Sequence, residues 1–321
     1  VLAITCPGQG SQTPGFLSPW LELAGVRDHL EQLSERAGVD LVRHGTVSDE
    51  ETIKDTAVAQ PLIVAAGLVT ARLLLEDFLL TAATVVAGHS VGELTASAVA
   101  GALTEDDAVA FVRVRANAMA EAAAETATGM SAVLGGDPED VAARLAEFGL
   151  TAANMNGGGQ VVAAGTTEQL ASLAENPPAK ARVIALKVAG AFHTRHMTPA
   201  VTALEALRPS LSPSAPVATL ISNYDGRPIV QGQQNLDSLI AQVSRPVRWD
   251  LCMESMQQMG ISGMIELSPA GTLTGLARRG MRGTASLPVK SPEDLDAAAA
   301  FIEEHSRTPD LDPSLIPEGS K

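Results

Sequence analysis

A serine held between two glycines, Gly88-His89-Ser90-Val91-Gly92, follows an apolar run of strand type, Thr84-Val85-Val86-Ala87. It leads directly into Glu93-Leu94-Thr95-Ala96-Ser97-Ala98-Val99-Ala100, which reads as a helix. A G-x-S-x-G between strand and helix has the mechanics of a nucleophile elbow. The turn presents the hydroxyl outward, and the next backbone N–H groups open a helix, where negative charge is stabilised. A serine acylated there can pass its acyl group to water or to another nucleophile.

An unassisted hydroxyl is a poor nucleophile at neutral pH, so Ser90 needs a base. His29, His44 and His305 fall in charged helical or loop contexts and read as solvated. His89 adjoins Ser90, and neighbouring side chains diverge, so it reads as a pocket residue instead. His193 and His196 lie in Gly190-Ala191-Phe192-His193-Thr194-Arg195-His196, where a strand gives way to a helix. His193, at the strand end, is the candidate base, and His196 a first-turn residue. No acid completes a triad: Asp106, Asp107, Asp137 and Asp140, which lie between Ser90 and His193, all read as helix caps. An HGGG-type oxyanion loop is also missing. The turn Pro7-Gly8-Gln9-Gly10-Ser11-Gln12 could offer a backbone donor in its place. Arg115 shares an apolar helix face with Phe111 and Met119, four residues away on either side. Two readings stand for it: a snorkelling side chain, or an inward guanidinium that grips a carboxylate through paired hydrogen bonds.

These groups need a scaffold, and 321 residues can supply a large core. Aromatics make up only 3%, so Ala, Leu and Val must fill it. Val1 to Cys6 reads as a core strand rather than a signal peptide. The spacing predicts a helix from Leu62 to Leu80 that begins at Pro61, and another from Ala108 to Ala124 after a capping signal at Thr104. Between 126 and 191 the order reads β-α-β-β-α-β: Met130–Leu134, Pro138–Phe148, Leu150–Asn154, Gln160–Ala164, Thr167–Glu175 and Arg182–Val188. Strands at Val217–Ser222 and Ser262–Leu267 follow, with helices at Leu236–Gln242 and Trp249–Met259. We therefore expect an α/β fold. Its large domain is α/β-hydrolase-like, with a parallel sheet, over 1–125 and 192–305. A ferredoxin-like small domain is inserted at 126–191, and 306–321 form a flexible tail.

A net charge of −15 argues against nucleic acid as a partner, since phosphate binding needs a concentrated basic surface. Arg278, Arg279 and Arg282 form the densest basic cluster, which a solvated helix end would also explain. No uninterrupted apolar stretch reaches membrane-spanning length, the nearest being broken by Arg72, Glu76 and Asp77. Cys6 and Cys252 read as two buried thiols of a cytoplasmic protein rather than as a disulfide.

Taken together, these stretches resemble the malonyl-CoA:acyl-carrier-protein transacylases and the acyltransferase domains of polyketide synthases. The matching pieces, in order, are Gly8 to Gln12, Gly88 to Glu93, Arg115, Asn154-Met155-Asn156 before Gln160-Val161-Val162, Ala191-Phe192-His193, and Pro246-Val247-Arg248-Trp249. They span residues 2 to 300. The resemblance implies an acylated Ser90, His193 as base and later acid, and an oxyanion hole of the Gln9 and Val91 backbone N–H groups. It places Arg115 on the malonyl carboxylate, Asn156 nearby as a polar residue supporting the site, and Met119 and Phe192 around the acyl group; His89 joins them as a substrate-binding residue from its place beside Ser90. It also implies that the main-chain carbonyl of Gln242 orients His193, which accounts for the missing acid. Ala191-Phe192-His193 resembles the malonyl-selecting form of the motif, although Gly190 stands where many such domains carry histidine. The implied partners are malonyl-CoA and acyl carrier protein, both substrates, with no metal and no bound cofactor. The absence of flanking synthase domains favours a free-standing protein, and we expect a monomer. A serine hydrolase and a non-catalytic scaffold remain as rivals at this point.

Overall fold

The computed structural model describes residues 1–188 and 190–306; most of the expected tail, 307–321, lies outside the described residues. The strands of the first half are β1 (Leu2–Cys6), β2 (Val85–Gly88), β3 (Thr128–Gly135), β4 (Thr151–Gly157) and β5 (Gln160–Thr166). Those of the second half are β6 (Ala181–Ala185), β7 (Thr219–Ile221), β8 (Pro228–Ile229), β9 (Gly263–Glu266) and β10 (Ala285–Pro288). They form a six-stranded sheet, order β10-β9-β1-β2-β7-β8, and a four-stranded sheet, order β4-β5-β3-β6. The large sheet is parallel except for β8, which turns back on β7. The small sheet is antiparallel throughout.

Strands β1, β2 and β9 are buried along their whole length. That is why they read as unbroken apolar runs rather than as alternating patterns. Leu295–Ser306 packs on β1 and β9 and Gly92–Val99 on β1 and β2, with Thr56–Leu74 packed against Glu105–Glu125, and the buried faces of these helices join one core. Thr104 caps the last of these by accepting from Asp107 N at 3.0 Å. The two sheets meet where β4 lies beside the chain at Val247. Met155 N donates to Val247 O, and Val247 N to Ala153 O, each at 2.9 Å.

Several expectations need correction. The helix placed at Leu62–Leu80 runs from Thr56 to Leu74, with Asp55 as its cap and Pro61 inside it. Proline was read as a first-turn residue, but the Asp55 carboxylate is the true start signal, accepting from Ala57 N. This helix carries one charge, Arg72, and passes for a membrane span by length and composition alone, a test that buried core helices also meet. Most of it is buried inside the molecule. Strand β6 ends at Ala185, so His193 sits eight residues beyond a strand end, in a loop rather than at the strand terminus. The helix Leu295–Ser306 takes the first residue of the expected tail. Cys6 and Cys252 are free, buried thiols.

Candidate active site

Strand β2 delivers Ser90 to the edge of a cavity of about 240 Å3. Ser90 adopts φ 53°, a left-handed conformation that a side chain rarely takes, as an elbow requires. The turn closes because Gly88 and Gly92 have no side chains. A Cβ on Gly88 would strike the Gly92 backbone, and one on Gly92 would strike the Cys6 carbonyl. His89 N bonds to Cys6 O at 2.9 Å, tying the elbow to the neighbouring strand β1.

His193 also adopts a left-handed backbone, φ 60°. Its Nε2 lies 2.6 Å from Ser90 Oγ, and its Nδ1 lies 2.8 Å from Gln242 O. The Nδ1–H donates a hydrogen bond to the carbonyl, which leaves Nε2 free to accept the Ser90 hydroxyl proton. Burial, reinforced by the Arg115 charge, pushes the imidazole down to about 3. It is therefore neutral near pH 7, the state that a base requires.

Arg115 points inward, 1% exposed, so it does not snorkel. Its Nη1 donates to Gln60 Oε1 at 2.5 Å, and its Nη2 to Gln242 Oε1 at 2.9 Å and Ser90 Oγ at 3.3 Å. Glu93 is buried behind the elbow, and burial pushes its carboxyl up to about 8. It accepts from Asn223 N at 2.5 Å and from Gln242 Nε2. Asn223 in turn accepts Ser90 N at 2.8 Å and donates to Gly88 O at 2.7 Å. Serine, arginine and the histidine-orienting residue thus share one buried hydrogen-bond network.

The cavity brings together Gln9, His89, Ser90, Val91, Arg115, Met119, Asn156, Phe192 and His193. Gln242 stands behind it and reaches it through His193 and Arg115. His89 Nε2 pairs with Asn156 Oδ1 at 2.8 Å, and its burial lowers its basicity. The backbone N–H groups of Gln9 and Val91 have no protein acceptor among the described residues. A neutral base at hydrogen-bond distance from a serine, two available N–H groups and a buried cation can together perform acyl transfer on an anionic acyl group.

The sequence pattern of the acyl transferase domain family matches residues 4–302. The chain belongs to that family. It is 50% identical to the malonyl CoA-acyl carrier protein transacylase of Mycobacterium tuberculosis, over 93% of this chain and 99% of that one. It is 32% identical to the protein of that name from Bacillus subtilis, over 95% and 98%. The crystal structure of the Mycobacterium tuberculosis protein superposes with a TM-score of 0.89 at 49% identity, covering 93% and 99%. A transacylase solved with a type II polyketide acyl-carrier protein superposes at 0.87 with 27% identity, covering 93% and 99%. The chain is an acyltransferase, grouped with the malonyl CoA-acyl carrier protein transacylases as its motifs indicated.

Sequence reasoning missed Gln60, Asn223, the network role of Glu93 and the side chain of Gln242. Gln60 carried a usable signal: it is a lone amide in the apolar stretch Val58 to Val64. Asn223 carried none, because it meets Ser90 across 133 residues. His29 was placed in solvent, yet it is buried with Nε2 3.0 Å from Glu105. The charged residues around it lie on the opposite helix face.

Proposed function

We propose that this protein moves the malonyl group from malonyl-CoA to the phosphopantetheine thiol of acyl carrier protein through a malonyl-serine ester. His193 Nε2 takes the Ser90 Oγ proton as the oxygen attacks the thioester carbonyl. The backbone N–H groups of Gln9 and Val91 stabilise the tetrahedral oxyanion. The C–S bond breaks, and His193 gives its proton to the departing CoA sulfur. The carrier thiol then enters, loses its proton to His193, attacks the ester and releases Ser90, which recovers its proton. This ping-pong scheme needs no metal or bound cofactor. Arg115 pairs with the malonyl carboxylate, which gives a dicarboxylic acyl group an advantage over acetyl. Met119 and Phe192 bound the acyl group, and His89 and Asn156 support the site.

The observation that carries this reading is Arg115: its guanidinium lies 3.3 Å from the nucleophile, in a buried cavity beside a neutral histidine. A plain hydrolase has no use for such a cation. The relatives' names and the carrier-protein complex among the similar structures support the same substrates. We place the protein in the cytoplasm as a monomer that supplies extender units for fatty acid synthesis, and for polyketide synthesis where such carriers exist. Arg278, Arg279, Lys187 and Arg195 are exposed and would face an acidic carrier. Residues 1–125 with 192–305 form the hydrolase-like domain of this proposal, and 126–191 the ferredoxin-like one. The test is to supply malonyl-CoA with and without carrier protein bearing phosphopantetheine. Malonyl-carrier should accumulate while free malonate stays low. Malonate release at a rate indifferent to carrier would overturn the proposal in favour of hydrolysis.

A further inference from the structure

The loop after β1, residues 7–12, carries the Gln9 N–H assigned to the oxyanion. No backbone group in this loop bonds to another backbone group among the described residues. Side chains hold it instead. Gln12 Oε1 accepts from Gly10 N at 2.8 Å, and Gln12 Nε2 donates to Ile53 O at 3.0 Å. Ile53 belongs to the helix Glu50–Lys54 and is buried in the main core, so its carbonyl is a fixed point. The other ties of residues 8 to 10 are longer. Gln9 Nε2 lies 3.4 Å from both Lys54 O and Thr56 Oγ1, and Ser11 Oγ donates to Gly8 O at 3.2 Å. Gln12 does not line the cavity, so it acts on the reaction only through the loop.

An oxyanion donor helps only if it is aimed before the charge develops, so its peptide must be held in advance. Gly10 is exposed, and no packing around it restrains the chain. The grip of Gln12 on Gly10 N therefore decides how the backbone passes through Gln9. The position calls for a carboxamide, because one end must accept an N–H while the other donates to a C=O. Glutamate would set an oxygen against the Ile53 carbonyl, and methionine would make neither bond. We propose that Gln12 is a positioning residue for the reaction, which holds the Gln9 N–H aimed into the cavity where the oxyanion forms. The inference rests on the oxyanion role given to Gln9 in the proposed function, and adds the group that fixes that donor.

Two measurements test it. The first compares malonyl-CoA with its dithioester, in which sulfur replaces the reacting carbonyl oxygen. Sulfur is a weak acceptor and gains little from N–H donors. In single-turnover acylation of Ser90, Gln12→Met should lower the saturating rate with malonyl-CoA about 10- to 100-fold. The half-saturating concentration should stay within about twofold, and the dithioester rate within about threefold. Equal losses on both donors would make Gln12 a structural residue, and an unchanged malonyl-CoA rate would leave it without a role; either result overturns the inference. The second measurement needs no variant: amide hydrogen exchange at Gly10 in wild-type protein. This N–H is exposed and outside every helix and strand, and Gln12 is its one hydrogen-bond partner among the described residues. Exchange at least about tenfold slower than in a free peptide supports the clamp, and exchange at the free-peptide rate overturns it. Wild-type protein that uses both donors equally would instead overturn the oxyanion reading of Gln9. Wild-type protein acylated by neither would overturn the transacylase reading beneath it.

Discussion

The His193 imidazole lies in a cavity wall with the Arg115 charge nearby, and both effects favour its neutral form. A base works only when unprotonated, so its fraction in the active form falls as pH drops through its own pKa. With that value near 3 rather than near the ordinary 6.5, the active fraction stays close to one at any pH well above 3. Acylation kcat/KM should therefore be flat between pH 5 and 7.5, measured by stopped-flow release of CoA. An acid limb centred between pH 6 and 7 would contradict the described environment of the ring. Arg115 makes a separate prediction. Arg115→Ala should reduce kcat/KM for malonyl-CoA by about 10- to 100-fold, the worth of a charge-assisted pair, and leave acetyl-CoA nearly unchanged. Equal losses on both donors would remove carboxylate binding as its role. Arg115 was legible in the sequence because a charge on an apolar stripe is conspicuous.

The elbow works as an element because strand β2, the turn and the helix Gly92–Val99 are locked to each other without intervening side chains. Gly92→Ala would drive a Cβ into the Cys6 carbonyl, which the flanking strand cannot yield. We expect a loss of about 1–3 kcal/mol in chemical denaturation and loss of Ser90 reactivity. A fully stable, fully active variant would show that the turn is looser than described. Asn223→Ala should act differently, freeing Ser90 N and Gly88 O while leaving the strand intact. It should slow acylation more than it lowers the unfolding midpoint; an unfolding loss with unchanged acylation would assign Asn223 to stability alone. The elements were read well where local signals dominate: the Thr104 cap, the buried strand before Ser90 and the β-α-β-β-α-β order of residues 128–185. They were read poorly where a proline masked the true cap at Asp55, and where the loop carrying His193 was taken for a strand end. The network through Glu93, Asn223 and Gln242 was beyond reach, because its members meet across more than 100 residues of chain.

At the scale of the molecule, the cavity exists because two sheets of different construction close on each other. The large sheet contributes Ser90 from the end of β2, and the small sheet contributes a wall through Met130, Asn154, Asn156 and Val162. The joint at Val247 fixes β4 against the large sheet through paired backbone bonds, so the wall is held at a set distance from Ser90. Such a recessed, cation-bearing cavity suits an acyl ester that must outlast the exchange of one thiol for another. That intermediate is the centre of the proposed function, and intact-mass measurement reads it directly. After brief exposure to malonyl-CoA without carrier protein, the chain should gain one malonyl unit, mapped to Ser90 by peptide sequencing and removed when carrier thiol is added. Absence of the adduct in wild-type protein that still forms malonyl-carrier would contradict the account.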